Sequence, residues 1–158
     1  MPAAEAAKTK ILIARASESD LADWLPLRQS LWGKESEPQR LLETVGELLK
    51  RADRYCVFIA RGGAGNAIGF AEVSLRFDYV NGCVTSPVAF LEGVFVTPQA
   101  RRSGCARLLV EAVTVWAQER GATELASDVD LANTISQDMH QSLGFKETER
   151  VVYYKKQV

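Results

Sequence analysis

The chain has 158 residues, of which nineteen are Lys or Arg, twenty are Asp or Glu, and 47% are hydrophobic. That is enough to bury a sizeable core in one domain, while a formal net charge of −1 excludes bulk attraction to nucleic acid or an anionic membrane. Cys56, Cys83 and Cys105 are odd in number and form no C-x-x-C pair, which argues against a disulfide framework or zinc site and for a reducing cytoplasm.

Residues 1–9 contain no apolar run of the signal-peptide kind and read as a flexible tail, and no stretch approaches transmembrane length. Residues 10–158 read as a single domain. Alternation over residues 10–15, with Ile11 and Ile13 on one face, predicts a first strand. Ser17 to Asp20 is a capping signal, followed at helical spacing by Leu21, Trp24, Leu25, Arg28, Leu31 and Trp32. Gly33 to Pro38 breaks that helix. A second helix is predicted over 39–51, burying Leu41, Leu42, Val45, Leu48 and Leu49. Tyr55 to Arg61 is a strand, and the Gly62–Asn66 turn leads to a long strand over 67–79. In that strand Gly69, Ala71, Val73, Leu75, Phe77 and Tyr79 share one face, and Glu72, Ser74, Arg76 and Asp78 the other.

After a turn with Asn81-Gly82, Val88 to Val96 is nearly all apolar, as a central strand covered on both faces requires. A helix begins after Gly104, with Cys105, Leu108, Leu109, Ala112, Val113 and Trp116 on its stripe, and stops at Gly121. Residues 124–128 form a short strand. Thr134-x-x-Gln137 forms a capping box for a helix bearing Ile135, Met139 and Leu143, ended by Gly144. Residues 146–155 are predicted as a final strand.

The most informative segment joins the central strand to the helix at Gly104. A strand, a basic turn and a helix N-terminus aim unpaired N–H groups and a positive helix end at one spot, a phosphate-binding arrangement. Arg101, Arg102 and Arg107 surround it, and Gly104 permits close approach. Arg101-x-x-Gly104-x-Ala106 resembles the pyrophosphate loop of the GCN5-related N-acetyltransferases (GNAT). The order of elements resembles that fold too: α/β, a mixed central β-sheet flanked by helices on both faces. Three hairpin-like strands precede the phosphate turn, whereas a dinucleotide fold carries its glycine turn after the first strand.

Glu92 stands inside the most apolar strand, where an unpaired carboxylate is costly. Either it pairs with a neighbouring arginine such as Arg76, or it faces a cleft that accepts a cationic amine. Asp128 closes the next strand, at the edge where open sheets bind ligands. Asp130 reads as a turn aspartate. Glu149 lies in the final strand on the face of Val151 and Tyr153. Such carboxylates suit a polycationic substrate, and Trp32 and Tyr79 suit sugar rings bearing ammonium groups.

Leu31-Trp32, Arg76 to Gly82, Ser86-Pro87-Val88, Phe90-Leu91-Glu92-Gly93, Ala126-Ser127-Asp128 and Leu143-Gly144-Phe145-x-Glu147-Thr148-Glu149 resemble the aminoglycoside 6′-N-acetyltransferases, over about residues 13–156. That resemblance implies transfer of an acetyl group from acetyl-CoA to a 6′-amine, with antibiotic resistance as the outcome and no metal. It implies aminoglycoside contacts from Trp32, Tyr79, Glu92, Asp128 and Glu149. The backbone of Val94, Phe95 and Val96 would pair with the pantetheine arm. Arg102, Ser103, Gly104, Cys105, Ala106 and Arg107 would hold the pyrophosphate, and Asn133 the pantetheine end. Glu92 is the first choice of general base and Asp128 the second. Where many superfamily members carry a tyrosine acid, this chain has His140, either the general acid or a helix histidine bonded to a carbonyl. A homodimer is expected from the apolar final strand and the resemblance. The alternatives are an acetyltransferase for another amine, such as a polyamine, amino sugar or protein N-terminus, or a non-catalytic acyl-CoA-binding module.

Overall fold

A computed structural model describes residues 10–33 and 38–158; the expected tail at 1–9, the break over 34–37 and the side chains of Leu41 and Leu42 lie outside the described residues. Five strands form one sheet in chain order, β1 (Leu12–Arg15), β2 (Tyr55–Arg61), β3 (Ala67–Arg76), β4 (Val88–Val96) and β5 (Leu125–Ser127). The first four are antiparallel and β5 runs parallel to β4. Helices α1 (Leu21–Trp32) and α2 (Pro38–Lys50) cover one face, and α3 (Cys105–Glu119) covers the other. The fourth helix is α4 (Thr134–Ser142).

Each face has its own core. Beneath α3, Phe58, Ala71, Val73 and Leu91 pack on Leu109, Val113 and Trp116. Beneath α1 and α2, Val57, Ile59 and Phe70 pack on Trp24, Leu27 and Val45. The stripe of α3 is rotated slightly from expectation: Val110 and Ala117 are buried, while Leu108 lies at the margin. The Ser17–Asp20 cap forms on a 3-10 turn, Glu18–Asp20, that leads into α1, with Asp20 accepting from the Ser17 N–H at 2.8 Å; Gly33 ends α1 at φ 80°.

Several expectations are corrected. β3 stops at Arg76, so Phe77 and Tyr79 project into solvent beyond it instead of continuing its apolar face. The cap of α4 is Asn133, whose Oδ1 accepts from the Ser136 N–H at 3.1 Å, so Thr134 is the first helical residue and no Thr134–Gln137 box forms. Ile135 is exposed, and the one buried residue of α4 is His140. Residues 146–155 form no strand; nothing among the described residues pairs with them, and Val151, Val152, Tyr153 and Tyr154 stand in solvent.

Candidate active site

β4 is hydrogen-bonded to β5 only through Ala89, Phe90 and Leu91, opposite Leu125, Ala126 and Ser127. Beyond Leu91 the two strands part, and from Gly93 to Val96 β4 pairs with β3 on one side and with no other strand of the described residues on the other. A free edge of this kind offers N–H and C=O groups to an extended ligand. The expected pantetheine contacts, Val94, Phe95 and Val96, all lie on it.

A β-bulge sits where the strands part. Gly93 pairs with Glu72 and Leu91 with Val73, so Glu92 is the extra residue, with no partner on β3. Bulges bend a strand and re-aim a side chain, which explains how an acid occupies the most apolar strand. Glu92 Oε1 accepts from Ser74 Oγ at 2.5 Å and from Arg76 Nη2 at 2.9 Å and Nε at 3.3 Å, whereas Oε2 accepts only from Arg76 Nη2, at 3.0 Å. The ion pair with Arg76 is therefore formed, and Oε2 is the less occupied oxygen. Arg76 itself lies 3.4 Å above the Phe90 ring centroid. Trp32 packs directly over Gly93, where a Cβ would overlap its ring. It presents an aromatic wall beside Glu92 and remains 38% exposed.

Asp128 follows the last β5 residue and is exposed, one step beyond the Leu91–Ser127 pair. Tyr79 is exposed and lines a groove of about 430 Å³ with Arg54, Leu75, Arg76, Phe77 and Asp78. Glu149 is exposed on the segment without a strand, near the place where Thr148 closes over Gly82. No contact brings Glu149 to Glu92. Asp130 accepts from the Ala132 N–H at 2.8 Å, an ordinary turn bond.

The helix end is built for an anion. Gly104 caps α3 at φ 85° with open space where a Cβ would point, and Arg102 also adopts positive φ, at 61°. Arg101, Arg102 and Ser103 are exposed around it. Arg101 donates through Nε to the carbonyl of Val96 at 3.2 Å, tying the basic turn to the end of β4. Asn133 spends Oδ1 on the α4 cap, which leaves its amide N–H groups for a ligand.

His140 is 9% exposed and bonded at both ring nitrogens. Nδ1 donates to the carbonyl of Ser136 at 2.7 Å, and Nε2 lies 2.9 Å from Ser127 Oγ. Ser127 Oγ is also 3.2 Å from the carbonyl of Leu91. With neutral imidazole the serine O–H points to Nε2; with imidazolium, Nε2 donates to the serine and its O–H turns to Leu91. Ser127 thus links His140 on α4 to the carbonyl of Leu91, at the opening between β4 and β5. Ser74 and Ser127, which carry these contacts, offered no signal in the sequence beyond their neighbours.

Burial holds the Cys105 thiol well above its ordinary range, at about 11, and raises Cys56 as well; desolvation and the nearby Glu124 raise Cys83. Thiolates, not thiols, react. In native protein at pH 8 a disulfide reagent should reach only the half-buried Cys83 promptly, and all three thiols after unfolding. Rapid native reaction of Cys105 would contradict its burial.

An exposed strand edge beside a helix N-terminus, with an acid lifted into the opening, is the site of an acyltransferase that grips a long, anionic-headed thioester. The chain belongs to the acetyltransferase (GNAT) family, whose profile matches residues 19–145. It is 48% identical over 145 residues to the aminoglycoside N(6′)-acetyltransferase type 1 of Serratia marcescens, covering 92% of this chain and 98% of that one. The crystal structure of aminoglycoside 6′-N-acetyltransferase AAC(6′)-Ih from Acinetobacter baumannii is similar at TM-score 0.89 and 48% identity, covering 94% of this chain and 99% of that one. AAC(6′)-Iy in complex with the bisubstrate analog CoA-S-monomethyl-acetylneamine is similar at TM-score 0.88 and 45% identity, over 94% and 99% of the two chains.

Proposed function

We propose that this protein transfers the acetyl group of acetyl-CoA to the 6′-amine of aminoglycoside antibiotics and so confers resistance to them. The observation that carries the reading is Glu92, lifted out of the β4 ladder by a bulge at the point where β4 and β5 part. An ammonium cannot attack a thioester, so a base must first take its proton. Glu92 Oε2 is that base, directly or through one water, and Asp128 across the opening adds a second negative charge that draws the polycation in. The amine then attacks the thioester carbon, a backbone N–H of the free β4 edge near Val94 stabilises the oxyanion, and the C–S bond breaks as the attacking nitrogen gives its second proton to water. The departing thiolate takes a proton by way of Ser127 from His140. Trp32 and Tyr79 stack on the sugar rings, and Glu149 supplies a further carboxylate to them. Residues 102–107 grip the pyrophosphate at the α3 N-terminus, and Asn133 donates to the pantetheine end.

The direct test is thiol release from acetyl-CoA with paired aminoglycosides carrying a 6′-amine or a 6′-hydroxyl. Turnover of the 6′-amines alone is expected; equal turnover of both would move the reaction to another position, and turnover of neither would remove aminoglycosides as substrates.

The working form is a homodimer, in the cytoplasm. Support for the dimer comes from residues 146–158: Val152 is 75%, Tyr153 86% and Tyr154 93% exposed, and among the described residues the outer edge of β5 has no strand beside it. A strand-forming apolar segment next to a free sheet edge is satisfied by reciprocal pairing with a second copy. Light scattering should give twice the 17.4 kDa chain mass. The double variant Val152→Glu, Tyr154→Glu should give the single-chain mass, and a monomeric wild type would refute the dimer. Support for the compartment comes from three cysteines without a disulfide.

A further inference from the structure

Glu72 is the one acidic side chain of the described residues buried completely, at 1% exposure, and no step of the reaction uses it. It stands on β3 directly opposite Gly93, next to the bulge that presents Glu92. Its carboxylate gathers three donors from two other elements. Trp24 Nε1 donates to Oε1 at 3.1 Å, Arg28 Nε donates to the same oxygen at 2.8 Å, and the Tyr55 hydroxyl donates to Oε2. Burial still raises the Glu72 carboxyl above its ordinary value, with Arg28 and the other donors working against it. Desolvating an acid this fully is unfavourable even when paired, and a well-packed apolar residue often serves stability as well or better. The group therefore calls for a role other than stability.

Arg28 connects it to the site. Its guanidinium carbon lies 4.5 Å from the centroid of the Trp32 ring, and that ring covers Gly93 and leans on Phe70 at 5.9 Å between centroids. Trp32 is the last residue of α1, where a long side chain has the least support from its own helix. Glu72 fixes Arg28, Arg28 fixes the indole, and the indole forms the wall beside Glu92.

We propose that Glu72 is a positioning residue for the acceptor amine: through Arg28 it holds Trp32 against Gly93, so that the aromatic wall is in place before the substrate arrives. The proposal rests on the functional reading above in assigning the Trp32 wall to the acceptor. Arg28 is the specific link, because a planar guanidinium can donate to the carboxylate at its edge and stack on the indole with its face, whereas an ammonium cannot do both.

The test uses full-length Glu72→Gln, Arg28→Lys and Tyr55→Phe variants, assayed with acetyl-CoA and neamine. Arg28→Lys should raise the KM for neamine about tenfold, within the range of a desolvated cation–π contact, leaving kcat and the KM for acetyl-CoA within about twofold. Glu72→Gln should move the same constant in the same direction. Tyr55→Phe removes a donor from Glu72 without touching Arg28 and should lower Tm with the neamine KM unchanged. A second readout does not depend on turnover. With 5-fluorotryptophan at the three tryptophans, Glu72→Gln and Arg28→Lys should shift or broaden the ¹⁹F line of Trp32, assigned through Trp32→Phe, and leave that of Trp116. An unmoved Trp32 line, or losses in kcat and both KM values that track Tm across all three variants, would overturn the proposal. Failure of wild type to acetylate neamine, with the Trp32 line behaving as expected, would count against the substrate alone.

Discussion

Glu92→Gln should lower kcat for acetylation by about 10²- to 10⁴-fold, the usual contribution of a positioned general base. Gln fits the same space and its carbonyl can still accept from Ser74 Oγ, so the bulge and the fold are expected to survive. The KM or Kd for acetyl-CoA should stay near wild type, because the free edge of β4 and the helix end at Gly104 are untouched. Loss of the charge also leaves Arg76 without its partner across 2.9 Å. Arg76 is partly exposed and can turn to water, so the stability cost should be small. Steady-state kinetics with a thermal melt separates the cases. Undiminished turnover in Glu92→Gln would remove this carboxylate from the chemistry and pass the role to Asp128, whose Asn variant is the matching control.

Trp24→Ala is expected to be the most damaging single change to the fold. The ring is entirely buried at the centre of the core beneath α1 and α2, and truncating a buried tryptophan costs about 3–5 kcal/mol. Against a domain stability of about 5–15 kcal/mol this is about a fifth of the total or more. Trp24→Phe isolates the indole N–H: most of the ring volume stays, and Glu72 loses one donor, worth about 1–3 kcal/mol to a charged acceptor. Urea unfolding at pH 7 measures both. A cost below about 1 kcal/mol for Trp24→Ala would mean that the cavity collapses freely.

Long apolar runs and helix ends were the legible parts of this chain. β2 and β4 begin and end where their apolar runs do, and Gly33, Gly121 and Gly144 stop their helices with positive φ. Periodicity was less informative wherever the deciding contact is distant in sequence. Glu72 shares one face of the strand with Ser74 and Arg76, and that alternation carries no sign that α1 and Tyr55 cover it from elsewhere in the chain. The bulge at Glu92 was hidden because Phe90 to Phe95 is too uniformly apolar to show a change of phase. Residues 146–155 carry the pattern of a half-buried strand, and a pattern of that kind does not say whose sheet will bury it. For the site, the carboxylate positions were visible as expensive placements, whereas Ser74, Ser127 and Arg28 gained meaning only from the side chains they meet.

The bulge also divides β4 into two halves that are out of step. Before it, Leu91 faces the α3 core and Phe90 the opposite side; after it, Val94 and Val96 face α3 while Phe95 turns toward Phe70 and α1. A strict two-residue alternation running through from Leu91 would put Phe95 with Leu91 and send Val94 the other way. Deleting Glu92 would therefore close the bulge without displacing the rest of the strand. Leu91 and Gly93 would become consecutive opposite Val73 and Glu72, and every residue from Gly93 to Val96 would keep the layer it now serves. Both cores would thus tolerate the loss of position 92, so the bulge serves the opening it faces and not the packing on either side of the sheet.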